Sequence, residues 1–234
     1  MLLAAAVCPA PPLLARELTG ADRAVPELRK ACADAVAALL APRPDLIAVV
    51  GTAAGGGEWG TEGKLDLSAF APQLGGPAPG TRLPVSLGLG AMLLDLAGYG
   101  GRRVLHSVTE DDSAAHCAAL GARLGTTGER VALLVMADGS ARRTLKAPGY
   151  LDERSVPFDT SAERAIRDGD PGALLAIDAG VARDLMATGR PGWQVLAGAM
   201  GSVRPVSEIR YRDDPFGVFY LVASLSWPGL TPRA

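Results

Sequence analysis

Three short, uninterrupted apolar runs constrain this chain more than anything else in it: Leu2 to Val7, Leu46 to Val50 and Val131 to Met136. Each is too short for a helix that is apolar on every side, and each is bounded by residues that break regular structure, so each reads as a strand buried on both faces. A further strand is expected at Val104 to Val108. Helical patterns fall between the strands. Val25, Leu28, Cys32, Val36, Leu39 and Leu40 recur at steps near three and four, and Pro42 with Pro44 ends that helix. Shorter helices are expected near Ala91 to Ala97 and from Ser113 to Arg123. Strands alternating with helices define an α/β layered architecture with a central, mostly parallel or mixed sheet flanked by helices.

The last third reads as helices at Ala162 to Ile166, Ala173 to Ala187 and Trp193 to Met200. Two strands follow, Glu208 to Arg212 and Val218 to Leu225, whose tight Asp-Asp-Pro-Phe-Gly connection predicts an antiparallel edge hairpin. From Gly51 to about Pro84 the glycines and prolines predict a long loop with little regular structure. With 48% hydrophobic residues and no long polar tract, residues 1–234 are read as a single domain.

Charge narrows the partners. Lys and Arg total 23 against 25 for Asp and Glu, a net charge of −2 with no like-charge block, so neither nucleic acid nor a membrane surface is an expected partner. No run of ~18 apolar residues calls for a membrane span. The apolar start, Met1 to Cys8, lacks a positive n-region and is read as the first strand, not a signal peptide. Cys8, Cys32 and Cys117 are widely spaced and form no CxxC pair, which points to a reduced, cytoplasmic setting.

Loops after the carboxyl ends of strands in such sheets gather into a ligand crevice. Three qualify: Cys8 to Leu14, Gly51 to Gly63, and Ala137 to Asp152. The third is the most polar, and its Asp138, Ser140, Lys146, Tyr150 and Asp152 are the candidate ligand-binding groups. The same segment also reads as a turn at Asp138 and Gly139 followed by solvated basic residues. Ser140 as nucleophile with Lys146 as base is a weaker option, because no GxSxG elbow surrounds the serine. Gly55-Gly-Gly57 lacks the GxxxxGK[ST] spacing of a phosphate loop and is read as a flexible loop. The chain has two histidines, His106 and His116, with Glu110, Asp111 and Asp112 between them. Because His106 falls on a strand and His116 on a helix, both are read as core or surface residues before they are read as metal ligands.

Several segments, in order and spacing, resemble one family. Cys8-Pro-Ala-Pro-Pro-Leu-Leu14 resembles a CPHPPLL or HPHPPLL loop, and Asp45 to Ala53 a strand entering a Ser-Pro-His turn. Asp138-Gly-Ser-Ala141 resembles an Asp-Leu-Ser-His segment, and Asp214-Pro-Phe-Gly-Val-Phe-Tyr220 a closing Ala-Pro-Tyr-Gly-Val-Gly-Tyr hairpin. Together they are similar to the LigB-like class III extradiol ring-cleavage dioxygenases and their Memo-like relatives, an oxidoreductase superfamily. That resemblance implies the LigB-like α/β fold. In active relatives it also implies Fe(II) held by histidines of the first two segments, with a further histidine doing acid–base work. Here Ala10, Ala53 and Ala141 occupy the three matched histidine positions, and alanine offers neither a lone pair nor a proton. The resemblance therefore implies a degenerate metal site with no cofactor expected. The leading expectation is a non-catalytic small-molecule-binding, scaffold or partner subunit, as a homo- or hetero-oligomer, with its pocket at Ala10, Ala53 and Ala141. Two enzyme alternatives stand beside it: a dioxygenase site rebuilt from His106, His116 and Glu110, Asp111 or Asp138, and a metal-free enzyme using the Asp138 to Asp152 loop.

Overall fold

The structure is a computed structural model that describes residues 1–19, 25–78 and 80–227. Its centre is a seven-stranded mixed sheet. The three apolar runs form β1 (Leu2–Cys8), β2 (Leu46–Thr52) and β7 (Val131–Met136), joined by β3 (Gly57–Trp59), β6 (Arg102–Val108), β8 (Val206–Asp213) and β9 (Tyr220–Ser226). The strand order is β3-β6-β2-β7-β1-β9-β8. β6, β2, β7 and β1 run parallel at the centre, while β3 is antiparallel to β6 and β9 to both β1 and β8. The carboxyl ends of the four parallel strands therefore come out along one edge of the molecule. The remaining short strands, β4 (Lys64–Leu65) and β5 (Arg82–Leu83), pair with each other.

Why the central strands are apolar without alternation follows from what covers them. Leu46, Ala48 and Val50 of β2 and Val131, Leu133 and Val135 of β7 face one cluster, whereas Ile47 and Val49, with Ala132, Leu134 and Met136, face the other. Both sides of the sheet are covered, so both residue parities must be apolar. On the second face lie α2 (Pro26–Leu40) and α3 (Val85–Leu96). The amphipathic repeat of α2 buries Leu28, Cys32, Ala35, Val36 and Leu39. On the first face lie α4 (Ala114–Gly125), α5 (Ser155–Arg167), α6 (Pro171–Leu175) and α8 (Arg190–Met200). The short helices α1 (Arg16–Thr19) and α7 (Ala179–Asp184), with 3-10 turns at Pro12–Leu14 and Pro72–Leu74, complete the elements of the described residues. Ser113 caps α4 by accepting from the His116 amide, 3.1 Å away. The α4–α8 contact depends on glycine: a Cβ on Gly121 would collide with the Val195 carbonyl, and one on Gly198 with that of Ala118.

Three expectations change. The Gly51 to Pro84 segment is not structureless, because Gly57–Trp59 pairs with β6 as an edge strand and the Trp59 indole donates to Ser107 Oγ at 2.7 Å. Glycine content masked a strand whose fixing contacts lie about fifty residues away. The single helix expected over Ala173 to Ala187 is broken into α6 and α7, each started by its own aspartate cap, Asp170 and Asp178. The Ala91 to Ala97 helix begins earlier, at Val85 just after Pro84. The edge hairpin is found as expected, with Val206 paired to Ser226 and Asp213 to Tyr220.

Candidate functional site

At the carboxyl ends of the parallel strands lies a cleft of about 490 Å³. Each strand contributes the residues just past its end: Ala10 after β1, Ala53 and Ala54 after β2, Thr109, Glu110 and Asp111 after β6, and Asp138 after β7. Backbone bonds carry the ladder beyond the strands, with Ala137 N donating to Cys8 O at 2.8 Å and Ala53 N to Val108 O at 2.9 Å. These bonds hold the exits in register, so the cleft floor is part of the sheet.

Asp138 is the central group. Its Oδ1 accepts from the Ala10 amide at 2.9 Å, tying the first loop to the third. Its side chain makes no other hydrogen bond among the described residues, and it lines the cleft. Burial raises its pKa from 3.8 to about 6, and the Ala10 amide, which favours the charged form, offsets only part of that. The groups behind it remain protonated. The Cys8 sulfur, burial and the nearby Asp138 push the Cys32 thiol well above its ordinary value, and burial followed by Asp138 raises the Tyr220 phenol.

The walls are equally fixed. Thr52 Oγ1 donates to Thr188 O at 2.7 Å and Ser86 Oγ to Thr52 O at 2.8 Å, joining β2 to the start of α3 and to the loop before α8. Gly189 N donates to Asp138 O at 2.8 Å, and the approach is so close that a Cβ on Gly189 would strike that oxygen. Buried Arg190 donates to Gln194 Oε1 at 2.8 Å, and through its other terminal nitrogen to Glu110 O at 2.6 Å and Asp112 O at 3.0 Å. It thereby fixes the β6–α4 loop that carries Glu110 and Asp111. Nothing in the sequence marks Arg190 for this role, because its partners are backbone carbonyls nearly eighty residues upstream.

The sequence-derived candidates divide. Ala10, Ala53 and Asp138 meet in the cleft, whereas Ala141 does not line it. Ala141 is buried, with its amide on Leu185 O at 2.9 Å. Ser140 is fully buried away from the cleft, its amide on Asp159 Oδ1 at 2.9 Å and its hydroxyl on Asp159 Oδ2 at 2.6 Å. Asp159 also faces Arg143 at 3.5 Å. Arg143 binds Asp214 at 2.7 Å and lies 5.3 Å over the Phe219 ring. Lys146 is exposed, Tyr150 is 61% exposed, and Asp152 is held by Arg154 at 2.8 Å. Lys146 stands in open solvent while the Ser140 hydroxyl is committed to Asp159, so the Ser140–Lys146 nucleophile reading loses its base.

Neither histidine reaches the cleft. His106 is half-buried on β6, in register with Glu58 of β3, and burial lowers its pKa; His116 is exposed on α4. No group of three His, Cys, Asp or Glu side chains among the described residues is placed to share a metal ion. The cleft offers carboxylates and hydroxyls but no imidazole, so its donors do not fit the histidine-held Fe(II) of active extradiol enzymes. Also among the described residues, no helix is long and apolar enough to cross a membrane.

The fold is that of a solved structure of unassigned function. The chain is similar to uncharacterized protein JW3007 from Escherichia coli K12, with a TM-score of 0.58 over 96% of this chain and 100% of that one. Their sequences are 14% identical, a likeness that shows the fold alone. No family model and no curated protein matches the sequence.

Proposed function

We propose that this chain is a LigB-like extradiol-type protein whose histidine metal site has been replaced, and that its cleft binds a small molecule without catalysing ring opening. The observation that carries the reading is Ala10 and Ala53 side by side with Asp138 at the strand ends, where a metal-dependent relative would need imidazoles. The cleft is preformed by backbone and buried side-chain bonds, and it pairs apolar walls at Ala54, Val85 and Met136 with one carboxyl group at its floor. That combination is typical of a small-ligand site.

Elemental analysis after incubation with Fe(II), Mn(II) and Zn(II), followed by desalting, tests the metal half of the reading. Metal at background level is expected, and one equivalent that resists desalting would overturn it. The ligand half is tested by Ala53→Trp, which fills the cleft from its rim. Small-molecule binding that this variant leaves intact would place the ligand elsewhere.

A further inference from the structure

The lining of the cleft has a charge pattern that selects among ligands. Among the described residues of the lining, Asp138, Glu110 and Asp111 contribute three carboxylates and Arg183 the one guanidinium. Arg183 is engaged by Asp111 in an ion pair. Among the described residues Glu110 makes no ion pair and is exposed at the mouth, while Asp138 at the floor faces no cation of the protein. A carboxylate that no guanidinium or ammonium neutralises, in a cleft walled by Ala10, Ala53, Val85 and Met136, is a site lacking its counter-charge.

We infer that the cleft takes a small organic cation, an apolar body carrying a protonated amine, with Asp138 as the counter-charge at the floor and Glu110 as a second acid at the mouth. This rests on the proposal that the cleft is a ligand site, and names the ligand class. An ammonium presents three donors, and Asp138 keeps one oxygen for the Ala10 amide and the other for the ligand. The apolar walls accept an aromatic or aliphatic body, and the Met136 thioether suits an aromatic ring. An anion meets two uncompensated acids. Beside the ion-paired Arg183, the amino end of α3, at Val85 and Ser86, favours negative charge in the lining. An anionic probe therefore belongs in the test.

The probes are benzylamine, benzyl alcohol and benzoate, which share a ring and differ in charge. Each is titrated into the full chain at pH 7.5 and followed by backbone amide chemical shifts, in the wild type and in the variants Asp138→Asn, Glu110→Gln and Ala53→Trp. Benzylamine is expected to bind about tenfold or more tighter than benzyl alcohol, the scale of one charge-assisted hydrogen bond. Asp138→Asn should erase that preference, and Glu110→Gln should weaken it by about twofold. Unchanged amide shifts away from residue 138 show that the Asp138→Asn variant is folded, and the exposed Glu110→Gln variant supplies an independent reading if it is not. Equal affinity for amine and alcohol, tighter benzoate, no binding of the amine, or an amine preference that survives Asp138→Asn would each overturn the inference. If the alcohol or benzoate binds and Ala53→Trp abolishes it, the cleft remains a ligand site and only the cation is lost. Binding that survives Ala53→Trp sinks both.

Discussion

Two buried-side carboxyl groups in this molecule, Asp138 and Asp159, have their pKa values raised to about 6 by the same cause, loss of solvent. Their surroundings differ. Asp159 is fully buried and accepts from the Ser140 amide and hydroxyl, with Arg143 at 3.5 Å. It pins the Asp138 to Asp152 loop to α5, and Arg143 extends the tie to Asp214 at the hairpin turn. Among the described residues Asp138 has one hydrogen-bond partner, the Ala10 amide, and it lines the cleft. A perturbed pKa alone does not mark a functional site. An acid whose partners are all supplied by the protein holds the structure together, and an acid left with spare capacity toward a cavity is available to a ligand.

The contrast is sharpest in replacement experiments. Asp159→Ala leaves the Ser140 amide and hydroxyl without their acceptor and Arg143 without one of its two carboxylates, and should lower unfolding free energy by about 3 kcal/mol or more in urea titration. Asp138→Asn, measured the same way at pH 7, should leave stability unchanged or raise it. Equal losses from the two variants would break the distinction.

The pH dependence separates the groups further. Asp138 has a folded pKa of about 6 against an unfolded value of 3.8, so the folded state holds the proton more tightly. Its contribution is full below pH 3.8, declines as pH rises toward 6, and is flat above. The advantage of Asp138→Asn over the wild type should therefore grow between pH 4 and pH 7, to at most about 3 kcal/mol. A difference that stays constant across that range would show that Asp138 is not desolvated. Arg190→Met should cost about 2 kcal/mol by stripping Glu110 O, Asp112 O and Gln194 Oε1 of their shared donor, and should broaden the amide signals of residues 109–112. Smallest of all, Lys146→Ala and Tyr150→Ala should each change stability by less than about 0.5 kcal/mol and leave cleft binding as it was. A tenfold loss of binding from either would return the polar loop to the site.

The element pattern was legible because burial on both sheet faces writes itself into sequence as unbroken apolar runs. β1, β2 and β7 were found nearly to the residue, and so was the α2 repeat. Missed elements were those fixed by distant partners. β3 is three residues among glycines, held by β6, and the α6–α7 break depends on aspartate caps inside what looks like one helical stretch. Of the site candidates, Asp138 was found by position, since a residue following a parallel strand must emerge at the carboxyl edge. Ser140, two residues on in the same polar segment, turned inward to Asp159, and Arg190 gave no signal.

By itself, then, the sequence determined the α/β layering, three of the four strand exits and the alanines Ala10 and Ala53 that stand there, because local periodicity and residue chemistry are written residue by residue; the exit of β6 at Thr109 to Asp111 and the inward place of Ala141 were not legible in it. Tertiary structure decided which polar groups of one loop face a cleft and which are consumed within the protein. That choice depends on partners such as Ala10, Asp159 and Gly189, brought together across 19 to 128 residues, and hydrogen-bond capacity can be counted only once those partners are in place.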